Sequence, residues 1–314
     1  MSLHLFLTSA ILAGVISQSL SMAEIKRAED YEILQEKIRI EAQIKAEEEQ
    51  KAKEEALKAE EEKKAQSAAA LEALKAYQVA ENNPSVGYND QKSWWFRRTN
   101  TNVPPTAQGE IAIQNYDAYY LGDITDKVIY LTFDEGYENG CTEKILDILK
   151  ANDVKATFFV TKSYIESEPE LIKRMVAEGH VVGNHSDTHP DMTTISDEQI
   201  VSEIENCAES FKALTGQEMP RFFRPPAGAY SIRTLEKTQE VGYKTIFWSF
   251  AYRDWVTDDQ PGADVAYETV MNNYHNGCIM LLHAVSESNT EALDSIIKDI
   301  KAAGYSFESL ENLP

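Results

Sequence analysis

The sequence predicts an α/β domain, its strands parallel in a sheet or barrel, preceded by a charged helical stalk. Three observations carry this. From about residue 107 to 314, short β-rich runs alternate with helix-length stretches, the spacing of βαβ units. Five of the predicted strands end in a polar or ionisable group, and such folds gather their active groups at the C-terminal strand ends. Residues 24 to about 80 lack Gly and Pro and are rich in Ala, Glu and Lys, all strong helix formers.

Composition sets outer bounds. The chain has 314 residues, 43% of them hydrophobic, enough for a packed core. Its net charge of −22 argues against nucleic acid as a partner and against docking on an anionic membrane through basic patches. Three cysteines, Cys141, Cys207 and Cys278, form no CxxC pair, so thiolate zinc sites and disulfide scaffolds are poor readings.

In chain order, Leu5 to Ile16 is a 12-residue apolar stretch, followed by Ser21-Met22-Ala23, an A-x-A-like cleavage pattern before Glu24. Residues 1–23 are expected to be a secretory signal peptide, since a membrane span needs about 20 apolar residues. No Lys or Arg precedes the stretch. An uncleaved membrane anchor is therefore the first alternative and a buried core helix the second. Signal or anchor would set the protein outside the cell or at the cell envelope.

In the stalk, residues 24–80, Glu41–Lys45, Glu47–Lys51, Glu49–Lys53, Glu54–Lys58 and Glu60–Lys64 are Glu-to-Lys pairs at i,i+4. Each supports a helix by about 0.2–0.5 kcal/mol. Ile25, Leu34, Ile38 and Ile44 begin a heptad seam that Ala then replaces. A solvated single helix is the favoured reading; self-association through a coiled coil is the alternative. The stalk carries a net −4, which leaves −18 for the rest. Residues 81–106 are a linker: Asn82-Asn83-Pro84, Gly87 and Pro104-Pro105 break the helix. Its Ser93-Trp94-Trp95-Phe96 cluster is expected to pack on the domain that follows, residues 107–314.

Within that domain Val128–Phe133, Ala156–Val160, His180–Gly183, Phe222-Phe223, Tyr243–Ser249 and Cys278–His283 read as strands. Lys144–Ala151, Glu166–Ala177, Asp197–Leu214 and Thr290–Ala303 read as helices. Asp134-Glu135-Gly136 follows the first strand, and His185 and His189 follow the third. Arg224-Pro225-Pro226 and Asp254-Trp255 follow the next two, and His283 closes the last. Singly, each has an ordinary explanation: an acidic turn, surface histidines, a structural ion pair, a core histidine. Five at five strand ends do not. The i,i+4 spacing of His185 and His189 is expected to place both imidazoles on one face of a helical turn, within reach of one metal. Ser186 stands where a zincin protease needs Glu, which disfavours that class.

Thr132-Phe133-Asp134-Glu135-Gly136, His185-Ser186-Asp187-Thr188-His189, Arg224-Pro225-Pro226-Ala227-Gly228, Asp254-Trp255 and Leu281-Leu282-His283 resemble, in order, the five motifs of the polysaccharide deacetylases, the NodB-homology group or carbohydrate esterase family four. Ser93-Trp94-Trp95-Phe96, Gly136-Tyr137-Glu138-Asn139-Gly140, Gly183-Asn184-His185 and Phe247-Trp248-Ser249 further resemble the delta-lactam-biosynthetic branch, which acts on N-acetylmuramic acid of spore peptidoglycan.

The resemblance, which covers roughly residues 107–314, implies a distorted (β/α) barrel and a metal-dependent de-N-acetylase. Asp134 matches the general base, Arg224 the residue orienting it, His283 the general acid and Asp254 its partner. His185 and His189 match ligands of a divalent metal, zinc first, with cobalt or manganese as the other candidates; Glu135 takes the third ligand's position. Leu281 matches the wall of the acetyl-methyl pocket, and Tyr137, Ala227 and Trp255 join it as substrate-binding candidates. The metal would polarise the acetamide and acidify water, and the Ala227 N–H would help hold the oxyanion. Two positions depart from the pattern. Glu135 stands where the family has Asp and the lactam branch often Asn. Ala227 stands where the family commonly has Tyr and the lactam branch Arg. The expected substrate is N-acetylmuramic acid in peptidoglycan. The alternatives are peptidoglycan N-acetylglucosamine, chitin oligosaccharides, or a carbohydrate-binding pseudoenzyme.

Overall fold

The structure, a computed structural model, describes residues 22–77, 81–98, 102–107 and 109–313. The signal-peptide or anchor expectation falls on residues 1–23, almost wholly outside these. No helix among the described residues is long and apolar enough to cross a membrane.

Helix α1, Met22–Tyr77, runs 56 residues without a break. Its described side chains are exposed, Leu34, Ile38 and Ile44 among them, so no apolar stripe is covered. The expected Glu60–Lys64 pair forms at 3.0 Å, whereas Lys51 reaches forward to Glu55 at 4.0 Å. Such exposed pairs contribute tenths of a kcal/mol; helix propensity does the rest.

The second part is built on one sheet: β1 (Ala118–Tyr119), β2 (Val128–Glu135), β3 (Thr157–Val160), β4 (Val181–Asn184), β5 (Phe222–Phe223), β6 (Lys244–Ile246), β7 (Cys278–His283) and β8 (Ser306–Phe307). The order is β7-β2-β3-β4-β5-β6-β1, and every pairing is parallel. β8 pairs with the start of β2, Ser306 opposite Val128, where β3 does not reach. Among the described residues the ring closes through isolated bridges, Leu121 to Cys278 and Phe250 to Met280. The result is the distorted (β/α) barrel that the resemblance implied, one of the two forms, parallel sheet or barrel, that the alternation allowed.

Helices α2 (Thr142–Ala151), α3 (Lys162–Ser167), α4 (Pro169–Ala177), α5 (Asp197–Thr215), α6 (Ile232–Glu240), α7 (Ala263–Met271) and α8 (Glu287–Ala302) complete the domain. The single helix expected over 166–177 is two, because Pro169 has no N–H to continue a ladder and opens α4 instead. A capping box of Ser196 and Gln199 starts α5, and Gly216 in the left-handed region ends it.

Strand alternation decides which side chains reach the site. Ile129, Leu131 and Phe133 of β2 pack outward with Ile145, Leu146 and Leu149 of α2. Tyr130 packs in a separate cluster with Phe159, Ile246 and Ile279, and Thr132 donates to the Met280 carbonyl at 2.7 Å. Asp134 follows in the second set and Glu135 in the first. Of the linker aromatics, Trp94 is buried, stacked on Phe247 at 4.3 Å, with its indole N–H donating to the Trp248 carbonyl. Phe96 is half-buried and Trp95 stays 48% exposed, so the expected packing falls mainly on Trp94. All three cysteines are free and buried.

Candidate active site

β2 and β7 pair in register up to the last residue of β7, which sets His283 opposite Asp134, the penultimate residue of β2. Arg224, just past β5, is wholly buried and donates from Nη1 to Asp134 Oδ1 at 2.7 Å. Its Nε donates to the Ile246 carbonyl at 3.1 Å, and its guanidinium lies 4.2 Å over the Phe159 ring. Burial alone would keep Asp134 protonated. Arg224, with help from His185 and His283, overrides it and holds the carboxyl below its ordinary value. Asp134 Oδ2 is left facing His185 Nε2 at 3.7 Å.

His185 and His189 lie with ring centres 4.8 Å apart. The turn between them is not helical. Residues 185–190 form a loop in which Ser186 (φ 73°) and His189 (φ 58°) are left-handed. Side-chain bonds replace the helical ladder: Ser186 N–H donates to Asn184 Oδ1 and His189 N–H to Ser186 Oγ, both at 2.9 Å. Glu203 of α5 accepts from the Thr188 N–H and hydroxyl. Convergence of the imidazoles therefore comes from this loop and not from helical spacing. His185 Nδ1 donates to the Arg224 carbonyl at 2.8 Å, which leaves Nε2 with its lone pair toward Asp134. Burial holds His185 down at about 4 and His189 below its ordinary value, so both are neutral at pH 7.

His283 Nδ1 bonds Asp254 Oδ1 at 2.7 Å. Asp254 is buried and also accepts from the His283 N–H at 2.8 Å and from Asn289 Nδ2 at 2.5 Å. Burial disfavours the imidazolium, but the Asp254 bond and charge outweigh it, and the His283 pKa is raised.

Asp134, His185, His189, Ala227, Trp255, Leu281 and His283 all line one cavity of about 530 Å³. Arg224 and Asp254 stand behind Asp134 and His283. Ala227 sits there in a left-handed conformation (φ 52°, ψ 14°), a strain of order 1–3 kcal/mol for a residue with a side chain. The sequence reading missed Trp248, Tyr252 and Arg253, which line the same cavity. All three lie in the segment that follows β6, Trp248 two residues past its end and Tyr252 and Arg253 further along the loop.

Two expected residues are not in the cavity wall. Tyr137 is 54% exposed in the loop after β2 and is not among the lining residues. Glu135 is fully buried beneath α2, on the outward side of the strand. Its Oε1 accepts from Thr142 at 3.3 Å, and its Oε2 has no partner. Burial and the neighbouring Glu138 raise its pKa well above the ordinary range. A carboxyl buried on the helix side of the strand, its charged form disfavoured there, is not a metal ligand in this arrangement. Among the described residues, no three His, Cys, Asp or Glu side chains are set to hold one ion. The donor set that fits is the imidazole pair: both rings neutral, with His185 locked in one tautomer by a backbone carbonyl.

Comparison with known proteins supplies context. Residues 122–246 match the family model described as polysaccharide deacetylase. The peptidoglycan-N-acetylmuramic acid deacetylase PdaA of Bacillus subtilis is 45% identical over 227 residues, 72% of this chain and 86% of that protein. Its solved structure, a family 4 carbohydrate esterase, superposes with a TM-score of 0.70, covering 72% of this chain and 97% of the other. A family 4 carbohydrate esterase of Bacillus anthracis gives a TM-score of 0.60 at 42% identity, over 73% of this chain and 98% of that one. A Bacillus anthracis pseudoenzyme of the same family gives 0.59 at 34% identity, over 62% and 68%.

Proposed function

This chain belongs to the polysaccharide deacetylase family, the family 4 carbohydrate esterases, and we propose that it removes the acetyl group from N-acetylmuramic acid in peptidoglycan. The observation that carries this reading is the opposed pair on adjacent strands, Asp134 backed by Arg224 and His283 backed by Asp254 across one cavity, with the carboxyl pKa lowered and the imidazole pKa raised. PdaA, similar over most of this domain, points to muramic acid in particular.

The chemistry follows from the geometry. The substrate acetamide enters between Asp134 and His283, its methyl toward Leu281. Water attacks the carbonyl carbon as Asp134 Oδ2 takes its proton; Oδ1 is already occupied by Arg224. The developing oxyanion meets the backbone N–H of Ala227, in the turn that lines the cavity. His283 Nδ1 is committed to Asp254, so Nε2–H gives its proton to the departing nitrogen. The C–N bond breaks, leaving acetate and a free sugar amine. His185 and His189 would hold the divalent ion this family uses, zinc being our first assignment. When bound, it supplies polarisation of the amide carbonyl.

The freed amine is suited to closing a lactam with the muramic carboxyl, so we place the protein in delta-lactam formation in the spore wall. We further propose that residues 1–23 direct it out of the cell and that the stalk spaces, or pairs, catalytic domains at the envelope. A second reading, a glycan-binding pseudoenzyme, is favoured by the displaced Glu135 and by the pseudoenzyme relative. Acetate release from peptidoglycan with added Zn²⁺, Co²⁺ or Mn²⁺ separates the two. Release supports the deacetylase; tight glycan binding without release supports the second reading.

A further inference from the structure

We infer that Arg253 sets substrate specificity by receiving an anionic group of the glycan, namely the lactyl carboxylate that distinguishes muramic acid from glucosamine. The inference rests on the deacetylase reading and deepens it.

Among the described residues lining the cavity, Arg253 is the one cationic side chain apart from the neutral metal-site imidazoles and His283. Arg224 is buried behind the wall and spent on Asp134. The cavity floor carries the Asp134 carboxylate, and the chain outside the stalk carries −18. An anionic substrate group is repelled by that field unless a local cation meets it. Ala227, on the same wall, offers only a methyl group.

Arg253 is also well mounted for the task. The residues on either side of it are fixed: the Tyr252 hydroxyl donates to Asn289, and Asp254 is held by His283 and Asn289. Gln260 donates to the Asp254 carbonyl at 2.8 Å, which pins the backbone just beyond it. The side chain is 59% exposed, and among the described residues its partner is Asp259 at 2.6 Å, itself 67% exposed. An exposed pair of this kind is weakly held. The fork therefore keeps donors free for a planar carboxylate, which it can grip with two parallel bonds. Trp255, 49% exposed two residues on, gives the sugar ring a face to lie against.

The test compares a muramic-acid-containing glycan strand with the same strand after its carboxyl groups have been reduced to alcohols, so that only the charge differs. Acetate release gives kcat/KM for each. The parent should prefer the carboxylate form. Arg253→Ala should cut that preference on the order of tenfold, mainly through KM, Arg253→Glu should reverse it, and Arg253→Lys should restore part of it. An unchanged preference in Arg253→Ala and Arg253→Glu overturns the assignment. If the parent releases acetate from neither strand, the deacetylase reading itself has failed, a different outcome. Because Arg253 is exposed, its replacement leaves the fold intact, and a thermal melt checks this.

Discussion

Asp254→Asn isolates the electrostatic part of the His283–Asp254 pair, because asparagine keeps the shape and removes the charge. In the parent, Asp254 accepts three hydrogen bonds in a buried setting, two of them from His283. Burial pushes the His283 imidazolium toward losing its proton, and Asp254 reverses this. Hydrogen bonds to charged groups are worth about 1.5–3 kcal/mol. At about 1.36 kcal/mol per pH unit, losing the charge should move the alkaline limb of activity about 1–2 units toward acid. Above the moved limb each further pH unit costs about tenfold in protonated acid. The amide also places an NH₂ group among donors, so the ring loses its fixed tautomer, and the total loss near neutrality should reach about 10²–10⁴.

The assay is acetate release from peptidoglycan across pH 5–9, with a melt at each pH. Stability should follow a definite sign. His283 binds its proton more tightly in the folded state, so the pair's contribution is complete below the ordinary histidine value and disappears as pH rises through the raised one. The variant should therefore be most destabilised in acid and approach the parent in alkali. An alkaline limb left in place, with activity reduced equally at every pH, would refute the general-acid role of His283.

Three further outcomes are expected. Asp134→Asn should abolish acetate release and also lower stability by about 3–5 kcal/mol, since it strands the wholly buried Arg224 without its counter-charge. An unshifted melt would show that the pair is not buried as described. Glu135→Gln should keep activity and metal affinity, and its melting temperature should gain on the parent's as pH rises. The parent carboxyl has a raised folded pKa, so ionising it is resisted only in the folded state; a large loss of metal affinity would make Glu135 a ligand after all. His185→Ala and His189→Ala should each weaken Zn²⁺ binding at least tenfold by titration calorimetry, whereas equal affinity in both would place the ion elsewhere.

Much of this was legible in sequence because strand ends are legible. Apolar runs such as Cys278–His283 mark their own boundaries, and the barrel then carries their last residues to one face. Two expectations fail, for different physical reasons. Asp134 and Glu135 are adjacent, yet a strand sends adjacent side chains to opposite faces, and Glu135 falls in step with Ile129, Leu131 and Phe133 on the helix side. That period-two rhythm was available in the sequence and could have displaced Glu135 from the ligand set. The His185–His189 spacing suited a helix, but an Asx-type bond from Asn184 and two left-handed residues made a loop instead, which no periodicity signals. Arg253 was missed because loop residues carry no pattern until the loop is placed.

The charges at the strand ends are costly where they stand. An ion pair as buried as Arg224–Asp134 gains little over apolar residues of the same size, and one Arg224 nitrogen, Nη2, has no partner at all. Fold stability therefore does not account for it. What the arrangement does accomplish is coupling. The charge on His283 helps keep Asp134 ionised, and the charge on Asp134 helps keep His283 protonated. A base and an acid in register on neighbouring strands thus each shift the other toward its reactive form, the carboxyl downward and the imidazole upward from their ordinary values. This coupling means that neither group can be altered alone. Asp134→Asn must also draw the His283 pKa down, a shift that NMR titration of its ring can read in an otherwise inactive protein, and its absence would show that the two groups act independently.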